Sequence, residues 1–233
     1  MAMLPTEAIA PAGEERAYFR LVFAWMGAGL AVTGGVTAAI GHSSRAMNAL
    51  LQGSGQTIWI VCLVLELLLV FSLAALVQHM NVIEAGATFL GYAALNGLTL
   101  SVIFAVYTTK SIYSTFFITA GMFLALSVWG YVTKADLTRF GSMLMMALFG
   151  LLLGLVVNLF WLNQTLYWAT TAVGVLLFSA LTAYDIQKLK KLEIPDSGGQ
   201  AAVEKSAIMG ALALYLDFVN LFLYLLRLFG RRK

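Results

Sequence analysis

Seven long apolar segments divide the chain, and most have about the 20 residues that a helix needs to cross the hydrocarbon core of a bilayer. The segments cover residues 19–40, 57–77, 83–107, 111–133, 139–160, 165–187 and 205–228. Only 11% of the 233 residues are charged, about half the share in soluble domains, and most charges lie between the segments. No alternating pattern of a transmembrane barrel is present. The sequence therefore predicts an all-α integral membrane protein, a single bundle of seven transmembrane helices.

The two ends of the chain differ from this apolar body. Residues 1–18 contain two of the three prolines and no basic stretch of a signal peptide, so they are predicted to be a short disordered tail. Residues 19–230 form the transmembrane domain, and residues 231–233 form a basic tail. A single cysteine, Cys62, excludes a disulfide or thiolate metal site within one chain. The net charge of +3 follows the loops and gives no indication of nucleic-acid binding.

The distribution of lysine and arginine predicts that the N-terminus lies in the cytoplasm. The inner connections then hold eight basic residues, which are Arg16, Arg20, Lys134, Arg139, Lys188, Lys190, Lys191 and Lys205. The outer connections hold only Arg45 and Lys110. The basic C-terminal tail would lie outside, against this rule, unless the last segment does not cross fully. We expect seven full crossings, with the first six helices determining the orientation.

Asp217 lies near the middle of the last apolar segment, where an ionised carboxylate facing lipid would cost several kcal/mol. Helical spacing places Asn220, Tyr224 and Arg227 on the same face of this segment. We therefore expect the last helix to be surrounded by other helices.

Further polar residues lie inside or at the ends of the other segments. Glu66, in the second segment, needs a partner, a proton or water. Asp185 ends the sixth segment, and His79 follows the second, where an interfacial position is expected. One face of the third segment carries four polar side chains that are expected to bond to a neighbouring helix, namely Thr88, Tyr92, Asn96 and Thr99.

Asp185 and Asp217 are compatible with three kinds of chemistry. The first is a Ca²⁺ site built from oxygen ligands alone. The second is an aspartyl intramembrane protease: Tyr184 and Asp185 resemble the Tyr–Asp pair of presenilin-type enzymes, but residues 214–217 read LYLD in place of Gly-x-Gly-Asp. The third is a proton-sensitive latch, because two buried carboxylates cannot both ionise cheaply and so share a proton that ties two helices together. The latch fits best, and we expect no enzymatic activity.

Two segments resemble the Bax inhibitor-1 (TMBIM) family of membrane proteins. They are residues 174–190, GVLLFSALTAYDIQKLK, and residues 211–230, ALALYLDFVNLFLYLLRLFG. Supporting similarity lies in residues 92–107 (YAALNGLTLSVIFAVY), 114–123 (STFFITAGMF) and 129–137 (WGYVTKADL). The resemblance runs from about residue 19 to the C-terminus, and the short tail and loops are similar to the bacterial branch.

The resemblance implies a seven-helix bundle in which the last helix runs through the centre, wrapped by the other six. It also implies a passive Ca²⁺ leak that responds to pH, with more leak in acid, and a pore closed from its cytoplasmic side by an aspartate pair that matches Asp185 and Asp217. The same aspartates are then expected to contact Ca²⁺ transiently. The expected location is a bacterial inner membrane, with a eukaryotic endomembrane as the alternative. The family is further linked to suppression of cell death in eukaryotes and to control of membrane proteolysis in some bacteria.

One departure from the family pattern concerns the latch. Some bacterial relatives place an arginine at the cytoplasmic end of the second helix, where it bonds to both aspartates, whereas residues 76–79 here read LVQH. His79 is the residue that would take its place. We expect Glu66, Asn220, Tyr224 and His79 to support the ion pathway, with no cofactor and with membrane lipid, Ca²⁺ and protons as partners. The alternative is a membrane-embedded regulator that binds a membrane protease or another membrane protein and conducts no ions.

Overall fold

The computed structural model describes residues 12–52, 55–191 and 199–233, and nearly all of them are helical. The elements in chain order are α1 (Ala12–Gly41), α2 (Ser44–Leu51), α3 (Gly55–Leu76), α4 (Val82–Leu100), α5 (Ile103–Val106), α6 (Thr109–Val132), a 3-10 turn (Leu137–Phe140), α7 (Gly141–Trp161), α8 (Gln164–Lys191) and α9 (Gly199–Phe229). Seven of these segments are long and apolar enough to cross a membrane, which confirms the predicted all-α, seven-span class.

The helices at the two ends begin earlier than predicted. Residues 1–11 of the predicted disordered tail lie outside the described residues, but the chain is helical from Ala12, so the prediction is wrong for residues 12–18. Glu14 and Glu15 in the first turn favour helix initiation through the helix dipole, and the ring of Tyr18 is buried, with its hydroxyl 3.2 Å from Ser206 Oγ. Helix α9 likewise starts at Gly199, where a positive φ of 63° suits glycine.

Helix α9 is buried over more of its length than the other spans. In its most apolar window 72% of residues are buried, compared with 44% or less in the other six. It packs against α1, α4, α6 and α8, whereas α3 packs chiefly on α4 and α7 on α8. Exposed apolar side chains are numerous on α3 and α7, as expected for surfaces that face lipid.

Two glycines allow neighbouring helix backbones to approach closely. A Cβ atom at Gly97 of α4 would lie 2.7 Å from the carbonyl oxygen of Thr33 on α1. A Cβ atom at Gly130 of α6 would overlap the backbone of Ala183 on α8. Small residues at such contacts are typical of helix packing in membranes. The second contact lies two residues from Asp185, so it sets the position of α8 near that side chain.

Side-chain contacts define the two ends of the bundle. The starts of α1 and α9 meet at the Tyr18–Ser206 contact, and Lys205 Nζ donates to the carbonyl oxygen of Gln78 just after α3. At the opposite end the C-terminal residues lie beside the start of α6, where Thr108 N donates to the carbonyl oxygen of Arg231. Helix α9 therefore runs from one end of the bundle to the other.

Candidate functional site

The carboxyl groups of Asp185 on α8 and Asp217 on α9 face each other within hydrogen-bonding range. Asp217 is only 4% exposed, and Asp185 is partly buried. Within the described ranges, Oδ2 of Asp217 is enclosed and accepts no hydrogen bond from a donor group. A buried carboxylate oxygen without a donor is costly, but a proton on either carboxyl group would form a bond between the two. The geometry therefore favours a pair that holds one proton.

Helix α8 is fixed in place just beyond Asp185. The Gln187 side chain is 4% exposed; it donates to the carbonyl oxygen of Ala135 at 2.8 Å and accepts from Leu137 N at 2.7 Å. Both bonds join α8 to the connection between α6 and α7. Lys191 adds an exposed contact of 2.6 Å to Asp136. The hydrogen bond from Lys191, assisted by Thr138, lowers the pKa of Asp136 below its usual range, so this surface carboxylate stays charged.

Two cationic or titratable side chains of the sequence, Lys188 and His79, bear differently on the pair. Lys188, one turn further along α8, acts electrostatically on Asp185. His79 is exposed, and across the parts of the chain that the structure describes it forms no ion pair or side-chain hydrogen bond with Asp185 or Asp217. The exposed position of His79 fits the expected interfacial side chain, and its role beside the pair stays a prediction.

Asn220 and Tyr224 follow Asp217 along α9 but are occupied by local contacts. Asn220 Nδ2 donates to the carbonyl oxygen of Leu216 in its own helix at 2.8 Å. The Tyr224 ring is buried and stacks on Phe178 with ring centroids 5.7 Å apart. Tyr224 also covers Gly174, where a Cβ atom would lie 2.5 Å from the ring. In this conformation Tyr224 packs α8 on α9, and its role on an ion pathway stays a prediction.

Glu66 lies in a separate polar network. It is 7% exposed and accepts hydrogen bonds from Thr99 Oγ1 at 2.7 Å and from Asn96 Nδ2 at 3.2 Å. The predicted bonding of the third span to a neighbouring helix is thus confirmed for Asn96 and Thr99. It is wrong for Thr88, which is half-buried and donates to the carbonyl oxygen of Glu84 in its own helix.

Two members of this network, Tyr215 and Thr33, were not predicted from the sequence. The hydroxyl group of Tyr215 lies 3.0 Å from Asn96 Oδ1 and 2.6 Å from Thr33 Oγ1. Tyr215 is fully buried, and a buried tyrosine hydroxyl needs a partner. Tyr215 lies two residues before Asp217 and therefore on a different face of α9. Helical spacing from Asp217 selects Asn220 and Tyr224 but not Tyr215.

The described residues contain no group of three or more His, Cys, Asp or Glu side chains that could hold a metal ion. Ca²⁺ takes about six to eight oxygen ligands. Two facing carboxylates can therefore contact a passing Ca²⁺ ion but do not form a complete site. A cavity of about 340 Å³ borders α1, α6 and α9, and its wall is almost entirely apolar apart from Thr33, Thr37 and Tyr113.

Comparison with known proteins gives one family. Residues 15–233 match the family model described as inhibitor of apoptosis-promoting Bax1. The inner membrane protein YbhL of Escherichia coli is 45% identical over 227 residues, which cover 97% of this chain and 96% of YbhL. An uncharacterized protein of Deinococcus radiodurans is 39% identical over 217 residues, 93% of this chain and 91% of that protein. An uncharacterized membrane protein of Streptococcus pyogenes is 38% identical over 168 residues, 72% of each chain.

Proposed function

Because the chain belongs to the Bax inhibitor-1 family of multi-pass membrane proteins, we propose that it is a passive, pH-sensitive Ca²⁺ leak channel of a bacterial inner membrane. The observation that carries the proposal is the pair of facing carboxyl groups, the partly buried Asp185 on α8 and the buried Asp217 on α9. Such a pair is expensive to bury, and an intramembrane acid is a marker of ion or proton pathways.

The pair acts as a latch because its protons determine how α8 and α9 are held together. With one proton, the two carboxyl groups share a hydrogen bond and the helices are tied. Loss of that proton leaves two negative charges in a medium of low dielectric constant, where they repel each other or attract a cation. A second proton makes both carboxyl groups neutral. The hydrogen bond between them is then weaker than the bond between an acid and a carboxylate. Ca²⁺ suits this site because carboxylate oxygens are its preferred ligands.

The latch lies toward the end of α8 that the basic residues assign to the cytoplasm. Gln187 and Lys191 anchor this end of α8 to the connection between α6 and α7. Opening is therefore expected to move α9 relative to α8 while the anchored end of α8 stays in place. Acid is expected to increase the leak, as the family resemblance implies.

The test is Ca²⁺ entry into liposomes that contain the purified full-length protein and a trapped Ca²⁺ indicator, measured at a series of pH values. We expect entry down the gradient without ATP, above that of protein-free liposomes, and increasing as the pH falls. The same liposomes loaded with Na⁺ or K⁺ indicators measure selectivity. Absence of cation flux from correctly folded protein at every pH would contradict the proposal. A stable co-purified membrane protease or other membrane protein would then favour the non-conducting regulator.

A further inference from the structure

The Glu66 network joins four helices through a continuous chain of short polar contacts. Glu66 on α3 contacts Asn96 on α4, Asn96 contacts Tyr215 on α9, and Tyr215 contacts Thr33 on α1. Thr99 on α4 donates to the other carboxylate oxygen of Glu66. The network is separate from the Asp185–Asp217 pair and does not depend on the function proposed for that pair.

The number of donor protons in this network limits which of its hydrogen bonds can form at the same time. Three of its contacts join oxygen atoms: Asn96 Oδ1 with Tyr215, Tyr215 with Thr33, and Thr33 with the carbonyl oxygen of Ala93, at 3.0, 2.6 and 2.8 Å. Only the two hydroxyl groups can supply protons, because an amide or carbonyl oxygen is an acceptor alone. One of the three contacts therefore lacks a proton when the Asn96 amide is oriented with its nitrogen toward Glu66.

A half-turn of the Asn96 amide supplies the missing proton. The two orientations have nearly the same shape, so hydrogen-bond partners determine which is adopted. After the half-turn, Asn96 Nδ2 donates to Tyr215, Tyr215 donates to Thr33, and Thr33 donates to Ala93. Asn96 Oδ1 then faces Glu66 Oε2, and this contact is a hydrogen bond only if Glu66 carries a proton.

The surroundings of Glu66 also favour the neutral acid. The titratable groups that neighbouring helices bring near it are the phenols of Tyr92 on α4 and Tyr215 on α9, both uncharged at neutral pH, and the buried thiol of Cys62 lies one turn before it on α3. Arg45, on α2, is exposed, and no ion pair reaches Glu66 within residues 12–52, 55–191 and 199–233. An ionised carboxylate at this depth would have only hydroxyl and amide donors to replace water and no counter-charge.

We propose that Glu66 is a second proton-binding site, protonated at neutral pH, and that the Asn96 amide transmits its protonation state to α9. With the proton present, Tyr215 donates to Thr33 and ties α9 to α1. When the proton leaves, the Asn96 amide turns its nitrogen to Glu66, and its oxygen accepts a hydrogen bond from the Tyr215 hydroxyl group. Tyr215 then donates to α4 in place of α1. Glu66 thus acts as a neutral hydrogen-bond donor, not as an anionic ligand for a passing cation.

Infrared spectroscopy of the full-length protein in liposomes at neutral pH tests the protonation directly. We expect a carbonyl stretching band of a protonated carboxylic acid in the wild type that is lost in Glu66→Gln. The band should remain in the Asp185→Asn/Asp217→Asn double variant, which separates it from the latch. Glutamine imitates the neutral acid, since its amide donates to Asn96 and accepts from Thr99, so the variant should fold. Identical carboxylic-acid spectra for wild type and Glu66→Gln would overturn the proposal.

Two tyrosine variants test the transmission through Asn96. Tyr215→Phe removes the phenol that fixes the amide, and we expect the Glu66 band to shift. Tyr92→Phe is the matched control, because Tyr92 packs against Tyr215 with ring centroids 5.7 Å apart and is outside the hydrogen-bonded chain. Thr99→Val offers an independent route, since it removes the donor to Oε1 and should shift the band while Asn96 is retained. An unshifted band in Tyr215→Phe, or an equal shift in Tyr92→Phe, would overturn the role of Asn96.

Discussion

Asp217 and Glu66 are both carboxylic acids buried in the membrane-spanning part of the bundle, yet their partners differ in kind. Asp217 faces another acid, so its energy depends on how many protons the pair holds. Glu66 faces an amide and a hydroxyl group, so its energy depends on which of its neighbours donates. The sequence shows the depth and the residue type of each acid, but the partner is set by tertiary packing.

A single methyl group at Gly130 is predicted to disturb the packing of α6 on α8. Gly130→Ala places a Cβ atom against the backbone of Ala183, which cannot move aside as a side chain can. We expect a loss of about 1–3 kcal/mol in the free energy of unfolding, as for other overpacked contacts. Thermal denaturation in detergent measures the change.

Gly121 on the same helix provides the control for this prediction. A Cβ atom there meets nothing within 4 Å, so Gly121→Ala should leave the stability unchanged or raise it by up to about 1 kcal/mol. Equal melting temperatures for Gly130→Ala and Gly121→Ala would contradict the close approach of α6 and α8.

At the scale of elements, the basic C-terminal residues are held against the end of the bundle where α9 ends. Arg232 Nη2 donates to the hydroxyl group of Tyr167 at 2.9 Å, and Lys233 Nζ donates to the carbonyl oxygen of Phe104 at 2.7 Å. The guanidinium groups of Arg227 and Arg232 also lie over the Tyr167 ring, each 5.8 Å from its centroid. The tail charges are therefore bound by groups at this end of the bundle.

Deletion of residues 231–233 is predicted to loosen the end of α9 and the start of α6. The deletion removes the backbone bonds between Thr108 N and Arg231 O and between Lys233 N and Val106 O, each worth about 0.5–1.5 kcal/mol net. We expect faster hydrogen exchange at Thr108 and a stability loss of about 1–3 kcal/mol. Arg231→Ala is the control, because it removes a charge but keeps the backbone bonds. Equal exchange in the deletion and the wild type would contradict this arrangement.

For the whole molecule, apolar segment length predicted the seven helices, because a bilayer leaves few other ways to satisfy the backbone. Helix ends were less predictable: Ala12 and Gly199 start their helices in polar sequence outside the apolar segments. The pairing of Asp185 with Asp217 followed from the polar residues together with the family resemblance. The link from Glu66 to Tyr215 depends on how the helices rotate and pack, which spacing along one helix does not determine.

In the proposed function, the Asp185–Asp217 pair makes the Ca²⁺ leak depend on pH. The most direct measurement is the pH profile of Ca²⁺ flux into liposomes for the wild type, Asp185→Asn and Asp217→Asn. Glu84→Gln is the control, since Glu84 is an exposed acid that caps α4 and glutamine can still accept the bond from Asn81 N. We expect each asparagine variant to flatten the profile, because a single remaining acid cannot share a proton with its partner. Glu84→Gln should retain the wild-type profile. Asparagine variants that both follow the wild-type profile would contradict the latch.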